Sequence, residues 1–233
     1  MKRYIIIGEC RLNVAYGDGF DYVQARPSGL MVETALDLAS KGRNVMMLSE
    51  VANDSVGRDI LEYLKAHSID TSCIECYTDG LTPLCVATHD GGFTLYTRYP
   101  ATDGFDIIWP RLDEDEDILI YGDYMTLSKR WNRNYTNFMS HVASKGCRTV
   151  YIPGDISRRE PRVTKVMPQV FENLERASVV VLGAETCKYY FGTADPQQAL
   201  TDTVGYYCPT ILFRHPDGTL EPFGPDKCEW LGL

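Results

Sequence analysis

No apolar run in this chain approaches the roughly 20 residues that span a bilayer, and the opening Tyr4-Ile5-Ile6-Ile7 is too short for the core of a secretory leader. Basic residues are in deficit. The 23 Lys and Arg against 32 Asp and Glu leave a formal charge of −9, which repels phosphate backbones and anionic lipid. Neither nucleic acid nor membrane is therefore an expected partner, and the cytoplasm is the expected compartment. The G-x-x-x-x-G-K-[ST] phosphate loop is missing, and Gly17-Asp18-Gly19 lacks the third glycine and the following helix of a dinucleotide site. A first strand ending in Gly8-Glu9-Cys10 likewise argues against a dinucleotide oxidoreductase. There is no repeat at a fixed period.

What is present is ordinary for a globular protein: 44% hydrophobic and 24% charged residues in 233, enough chain to bury a core without staples. The eight cysteines are scattered, so free buried thiols are expected. Cys73-Ile74-Glu75-Cys76 has no second C-x-x-C or histidine pair to complete a zinc site. Asp113 to Asp117 is an unbroken acidic run without the glycine turn or distal Glu of a calcium loop, and reads as a solvated turn. Arg158, Arg159, Arg162 and Lys165 form one basic patch, a solvated approach to a helix or a contact for a sugar phosphate. No metal site is expected.

The periodicity predicts alternating strands and helices. Arg3 to Gly8 is a short apolar strand, followed by a helix over Leu30 to Lys41 with Met31, Ala35, Leu38 and Ala39 inward, and by a strand over Asn44 to Leu48. A polar insertion, Ala15 to Arg26, interrupts this unit. Val56 to His67 is a second helix, with Ile60, Leu61 and Leu64 inward, Tyr63 at the margin, and Ser55 or Asp54 as its cap. Leu84 to Thr88 and Phe93 to Tyr99 flank His89-Asp90-Gly91-Gly92 as a hairpin. Alternation then resumes with strands at 118–121, 149–152, 178–182 and 210–213, helices at 131–144, 166–176, 185–191 and 196–203, and a closing hairpin over 214–223. This order implies an α/β fold with a mostly parallel sheet.

Glu50-Val51-Ala52-Asn53-Asp54-Ser55-Val56-Gly57-Arg58, followed by Leu61, Leu64 and Ser68-Ile69-Asp70-Thr71, resembles the V-G-x-D-x-x-G segment of the PfkB/ribokinase family of carbohydrate kinases. Thr82, the hairpin after it, Gly8-Glu9, Gly29, Gly42 and Tyr99-Pro100-Ala101 fall in the same register. The resemblance implies a single ribokinase-like domain over residues 1–233, with a central mostly parallel sheet, helices on both faces, and a small β lid from segments 15–26 and 84–99. It implies ATP and Mg2+ as co-reactants if the chain is active, and a sugar or sugar-like ligand held by Asn13, Gly29, Glu33, Arg98 and Asp155.

The motifs depart from the family at these positions. Asn13 stands where the family has a sugar-binding Asp, and Ser28-Gly29-Leu30-Met31-Val32-Glu33 replaces G-G-x-x-x-N, so Glu33 is a sugar acceptor or simply a polar helix residue. Pro153-Gly154-Asp155 aligns with D-P-N. Glu185 is one position away from the magnesium-organising Glu, and Phe213-Arg214-His215 replaces T-x-G. The G-A-G-D that supplies base and anion hole is not found before Leu233, which makes the domain incomplete at its C-terminus on this comparison. The expectation is a sugar-binding relative without catalytic residues. The alternative is a divergent ATP-dependent sugar kinase whose C-terminal segment lies outside this chain. Loss of the family's C-terminal helices would cost the strands at 178–182 and 210–213 some of their cover, so a homo-oligomer is expected, with lid edges as a second route.

Overall fold

The computed structural model describes residues 2–17, 23–88 and 92–232. Asp18-Gly19 and the His89-Asp90-Gly91 part of the hairpin turn lie outside the described residues. Eight strands make a larger, mostly parallel sheet and four make a smaller one. The chain divides into two compact units, Arg3–Arg111 and Leu112–Leu233.

In chain order the first unit holds β1 (Arg3–Ile7), β2 (Arg11–Tyr16), β3 (Val23–Ser28), α1 (Leu30–Ser40), β4 (Asn44–Ala52), α2 (Ser55–Ala66), β5 (Ile69–Tyr77), β6 (Leu81–Ala87) and β7 (Phe93–Arg98). β1, β4 and β5 are parallel neighbours; the near-continuous burial of β1 and β4 fits strands covered on both faces, whereas β5 alternates at the sheet edge. α1 packs against β1 and β4, and α2 against β5. The other four strands form the small sheet in the order β3-β2-β6-β7. Thus the insertion and the hairpin join one sheet, antiparallel at both ends and parallel between β2 and β6.

β4 runs past Leu48 because its polar residues are satisfied inside: Ser49 Oγ donates to Gly8 O at 2.6 Å, and Glu50 accepts Phe105 N at 3.3 Å. β5 was not expected as a strand, although Ile69, Thr71 and Cys73 alternate inward with period two. Two helix assignments also change. Tyr63 is exposed and Ala39 only half-buried, so the inner face of α2 is Gly57, Ile60 and Leu64 and that of α1 is Met31, Val32, Ala35 and Leu38. Between Leu81 and Leu84 the ladder shifts register, which accommodates Pro83 inside a strand with neighbours on both sides.

The second unit runs β8 (Asp117–Gly122), α3 (Asn132–Ser144), β9 (Arg148–Ile152), α4 (Met167–Glu175), β10 (Val179–Gly183), α5 (Ala184–Phe191), α6 (Pro196–Asp202), β11 (Ile211–Arg214) and β12 (Leu220–Phe223). β8 to β11 are parallel in sequence order, and β12 is an antiparallel edge strand. Val179 to Leu182 and Ile211 to Phe213 are buried. The expectation that these strands lose some of their cover is therefore corrected: α5 rests on β10, and α6 on β11 and β12.

Asn173 is a buried hub of this unit. Its backbone O accepts from Tyr121 Oη at 2.6 Å, its Oδ1 from Tyr135 Oη at 2.8 Å, and its Nδ2 donates to Thr126 O at 3.2 Å. Tyr151 stacks on Tyr121 with ring centroids 5.2 Å apart. Burial pushes all three phenols far above their ordinary range, with neighbouring phenols adding to the effect for Tyr121 and Tyr135.

Candidate functional site

A continuous hydrogen-bonded chain of side chains crosses the first unit. Tyr99 Oη donates to Glu9 Oε1 at 3.0 Å, and Arg11 Nη1 donates to Glu9 Oε2 at 3.0 Å. Arg11 Nε donates to Asn13 Oδ1 at 3.2 Å, Asn13 Nδ2 to Ser28 Oγ at 2.9 Å, and Ser28 Oγ to Glu33 Oε1 at 3.0 Å. Period two on the strand explains the order, since Arg11 and Asn13 on β2 point to one face of the small sheet. β3 brings Ser28 directly across from Arg11, and α1 opens with Glu33 in its first turn.

Burial and pairing grade this chain. Glu9 is only 3% exposed, and its charge is neutralised by Arg11. Asn13 and Tyr99 are half-buried, and Glu33 is exposed with Ser28 as its partner. Among the described residues, Asn13 retains an amide N–H and an acceptor lone pair, Arg11 retains Nη2, and Glu33 retains Oε2. The arrangement therefore presents alternating donors and acceptors, the complement of vicinal hydroxyl groups.

Gly29 acts through backbone geometry. Its φ is +141°, and a Cβ there would lie 2.3 Å from Glu9 O, so only glycine lets the β3-to-α1 turn close onto the β1–β2 link that carries Glu9. Asp54 caps α2 and braces the neighbouring hairpin, accepting from Gly57 N at 2.7 Å, Thr82 N at 2.9 Å and Thr82 Oγ1 at 2.8 Å. Burial works against its charge, but the bonds from Thr82 and Gly57 outweigh it and hold the carboxyl below the usual range.

Of the five anticipated ligand residues, the structure brings Asn13, Gly29 and Glu33 together. Arg98 is not with them. It shares the side of β7 occupied by Tyr96, whereas Tyr99, the next residue, reaches Glu9, so Arg98 lines the opposite face of the small sheet. Asp155 belongs to the second unit, where it is exposed and accepts Ser157 N at 2.9 Å in the turn after β9. Glu9, Ser28 and Tyr99 stood out in the sequence only as positions in register with the resembled family, Arg11 did not stand out, and none of the four was expected as a ligand residue. The signal for Arg11 was its two-residue spacing from both Glu9 and Asn13.

The remaining candidates are engaged locally. Asp113 Oδ1 accepts Asp115 N and Asp117 Oδ2 accepts Asp113 N, at 3.0 and 2.9 Å, so these carboxylates shape their own turn. Arg159 lies over the Tyr124 ring at 3.6 Å, and Lys165 pairs with Glu160 at 3.0 Å. Cys73 is buried and Cys76 exposed, as opposite faces of β5 require.

No family model and no curated protein matches the sequence. Solved structures do. A fructokinase from Vibrio cholerae, bound to fructose, ADP and calcium, superposes with a TM-score of 0.81 at 16% identity, over 97% of this chain and 75% of that one. A PfkB protein from Polaromonas gives 0.76 at 16% identity over 96% and 80%. An aminoimidazole riboside kinase from Salmonella enterica, complexed with aminoimidazole riboside and an ATP analogue, gives 0.76 at 12% identity over 97% and 77%. The chain has the ribokinase-like fold of the PfkB carbohydrate kinases.

Proposed function

We propose that this chain binds a sugar or sugar-like polyol on the Tyr99–Glu9–Arg11–Asn13–Ser28–Glu33 chain. The observation that carries the reading is the pairing of Asn13 and Glu33 through Ser28 Oγ. The resembled family places a carboxylate on the strand and an amide on the helix. Here the amide is on the strand and the carboxylate on the helix, so the pair is exchanged and its hydrogen-bonding capacity is kept. The relatives of known structure that hold fructose or aminoimidazole riboside support the same ligand class.

Binding without phosphoryl transfer is the favoured activity. ATP and Mg2+ would be the co-reactants of any transfer, but the residues aligned with the nucleotide site fit them poorly. Phe213 packs edge-on against Phe223, with centroids 6.2 Å apart, and His215 Nε2 lies 2.9 Å from Glu221 Oε2. Bulk and a committed imidazole thus stand where the family has small residues close to phosphate. Transfer depends on such positioning and electrostatics, and no step is assigned to this chain. Calorimetric titration with fructose, ribose and nucleosides, beside a coupled ATP assay, tests both parts. Binding that Glu33→Ala weakens by roughly 10–100-fold, the loss of a charged hydrogen bond of about 1.5–3 kcal/mol, is expected. Turnover near ordinary kinase rates, about 1–100 s⁻¹, would show the alternative, a divergent active sugar kinase.

A further inference from the structure

The other face of the small sheet carries a groove of about 750 Å³, within the range that accommodates a small molecule. It takes no part in the polyol chain. Leu12, Leu84 and Tyr96 form one row across β2, β6 and β7, Val14 extends the row, and Val56 at the start of α2 closes one side. Charged groups are few. The Asp54 carboxylate is already taken up by Gly57 and Thr82. Arg98 is exposed at the groove, and among the described residues its guanidinium has no partner.

An apolar trough ending in one unpaired cation selects the chemistry of its occupant. The geometry points to a second binding site, for an amphipathic carboxylate whose apolar body lies along Leu12, Leu84 and Tyr96 and whose carboxylate is held by Arg98. The body contributes burial of apolar area, which any alkyl or aryl chain supplies. The head decides specificity: a planar guanidinium pairs a carboxylate through two parallel N–H bonds, gains little from a neutral hydroxyl, and repels an ammonium.

The test is titration of the whole chain with decanoate, decanol and decylammonium, each below its aggregation concentration. Decanoate is expected to bind at least tenfold more tightly than decanol, and decylammonium more weakly than either. Arg98→Gln should bring acid and alcohol to equal affinity, and Tyr96→Ala should weaken both. Both side chains are exposed, and circular dichroism of each variant checks that the fold is kept. Methyl resonances of Leu12, Val14 and Leu84 should shift on adding decanoate, while fructose leaves them in place. Equal binding of acid and alcohol, a preference that survives Arg98→Gln, or no binding at millimolar decanoate would overturn the assignment. So would a dimer in which a second copy covers the groove, seen as a sedimenting species that Tyr96→Ala dissociates.

Discussion

Asp54 holds three donors from two elements with one side chain. Asp54→Ala removes a helix cap, about 0.5–2 kcal/mol by itself, and leaves Thr82, buried at 7% exposure, without its acceptor. A total loss of about 2–4 kcal/mol is expected by denaturant unfolding. The pH dependence has a definite sign. Because the folded carboxyl lies below its ordinary value, its contribution is complete above about pH 4 and disappears as pH falls through the folded value. An acid-unfolding series in which wild type and Asp54→Ala converge below that point would confirm it. The cysteines give a second residue-scale expectation. Burial pushes Cys187, Cys208 and Cys228 up to about 11, and the thiolate is the reactive species. Alkylation at neutral pH should therefore label Cys76, the exposed thiol, first. Early modification of Cys208 by mass spectrometry would contradict the burial described.

At the scale of elements, what could be read in advance was whatever repeats with a period. The helices over 30–40 and 55–66 and the strands of the second unit lie within a few residues of their sequence positions. Their apolar residues recur at spacings that only one secondary structure can bury. β2 and β3 were harder to see: Leu12 and Val14 do alternate with Arg11 and Asn13, but each strand is only six residues long. The hydrogen-bonded chain from Tyr99 to Glu33 was legible in part. Asn13 and Glu33 stood out by substituting for particular family residues, but their connection through Ser28, and the buried Glu9–Arg11 pair, depend on strand register. Arg98 was misplaced for the same reason, since one residue of register moves a side chain to the other face. Gly57 makes this dependence testable. A Cβ there would lie 2.0 Å from Ala52 O and 2.9 Å from Thr82 Oγ1, so Gly57→Ala must separate α2 from the end of β4. A loss of about 1–3 kcal/mol is expected by urea unfolding. A stabilising effect, the usual result on an open helix surface, would show that the close approach is not real.

For the molecule as a whole, self-association remains a proposal, now resting on the small sheet alone. β3 and β7 are its edge strands, and Val23 and Phe93 on them are exposed, so the expected contact runs edge to edge and leaves the groove open. Sedimentation at micromolar concentration is expected to show a dimer that Val23→Lys dissociates. A monomer at every concentration would remove the proposal. The Asn173 hub has a different consequence, an optical one. The chain has 15 tyrosines, and those at Tyr121, Tyr135 and Tyr151 keep their protons far above the ordinary value of about 10. An unfolded chain would lose these protons first, so their contribution to stability is full below about pH 10 and declines as pH rises. In an alkaline titration followed by phenolate absorbance, the exposed tyrosines should ionise smoothly and reversibly. The hub should appear as a separate, abrupt rise that returns along a different curve, so that ultraviolet absorbance reports the unfolding of the second unit.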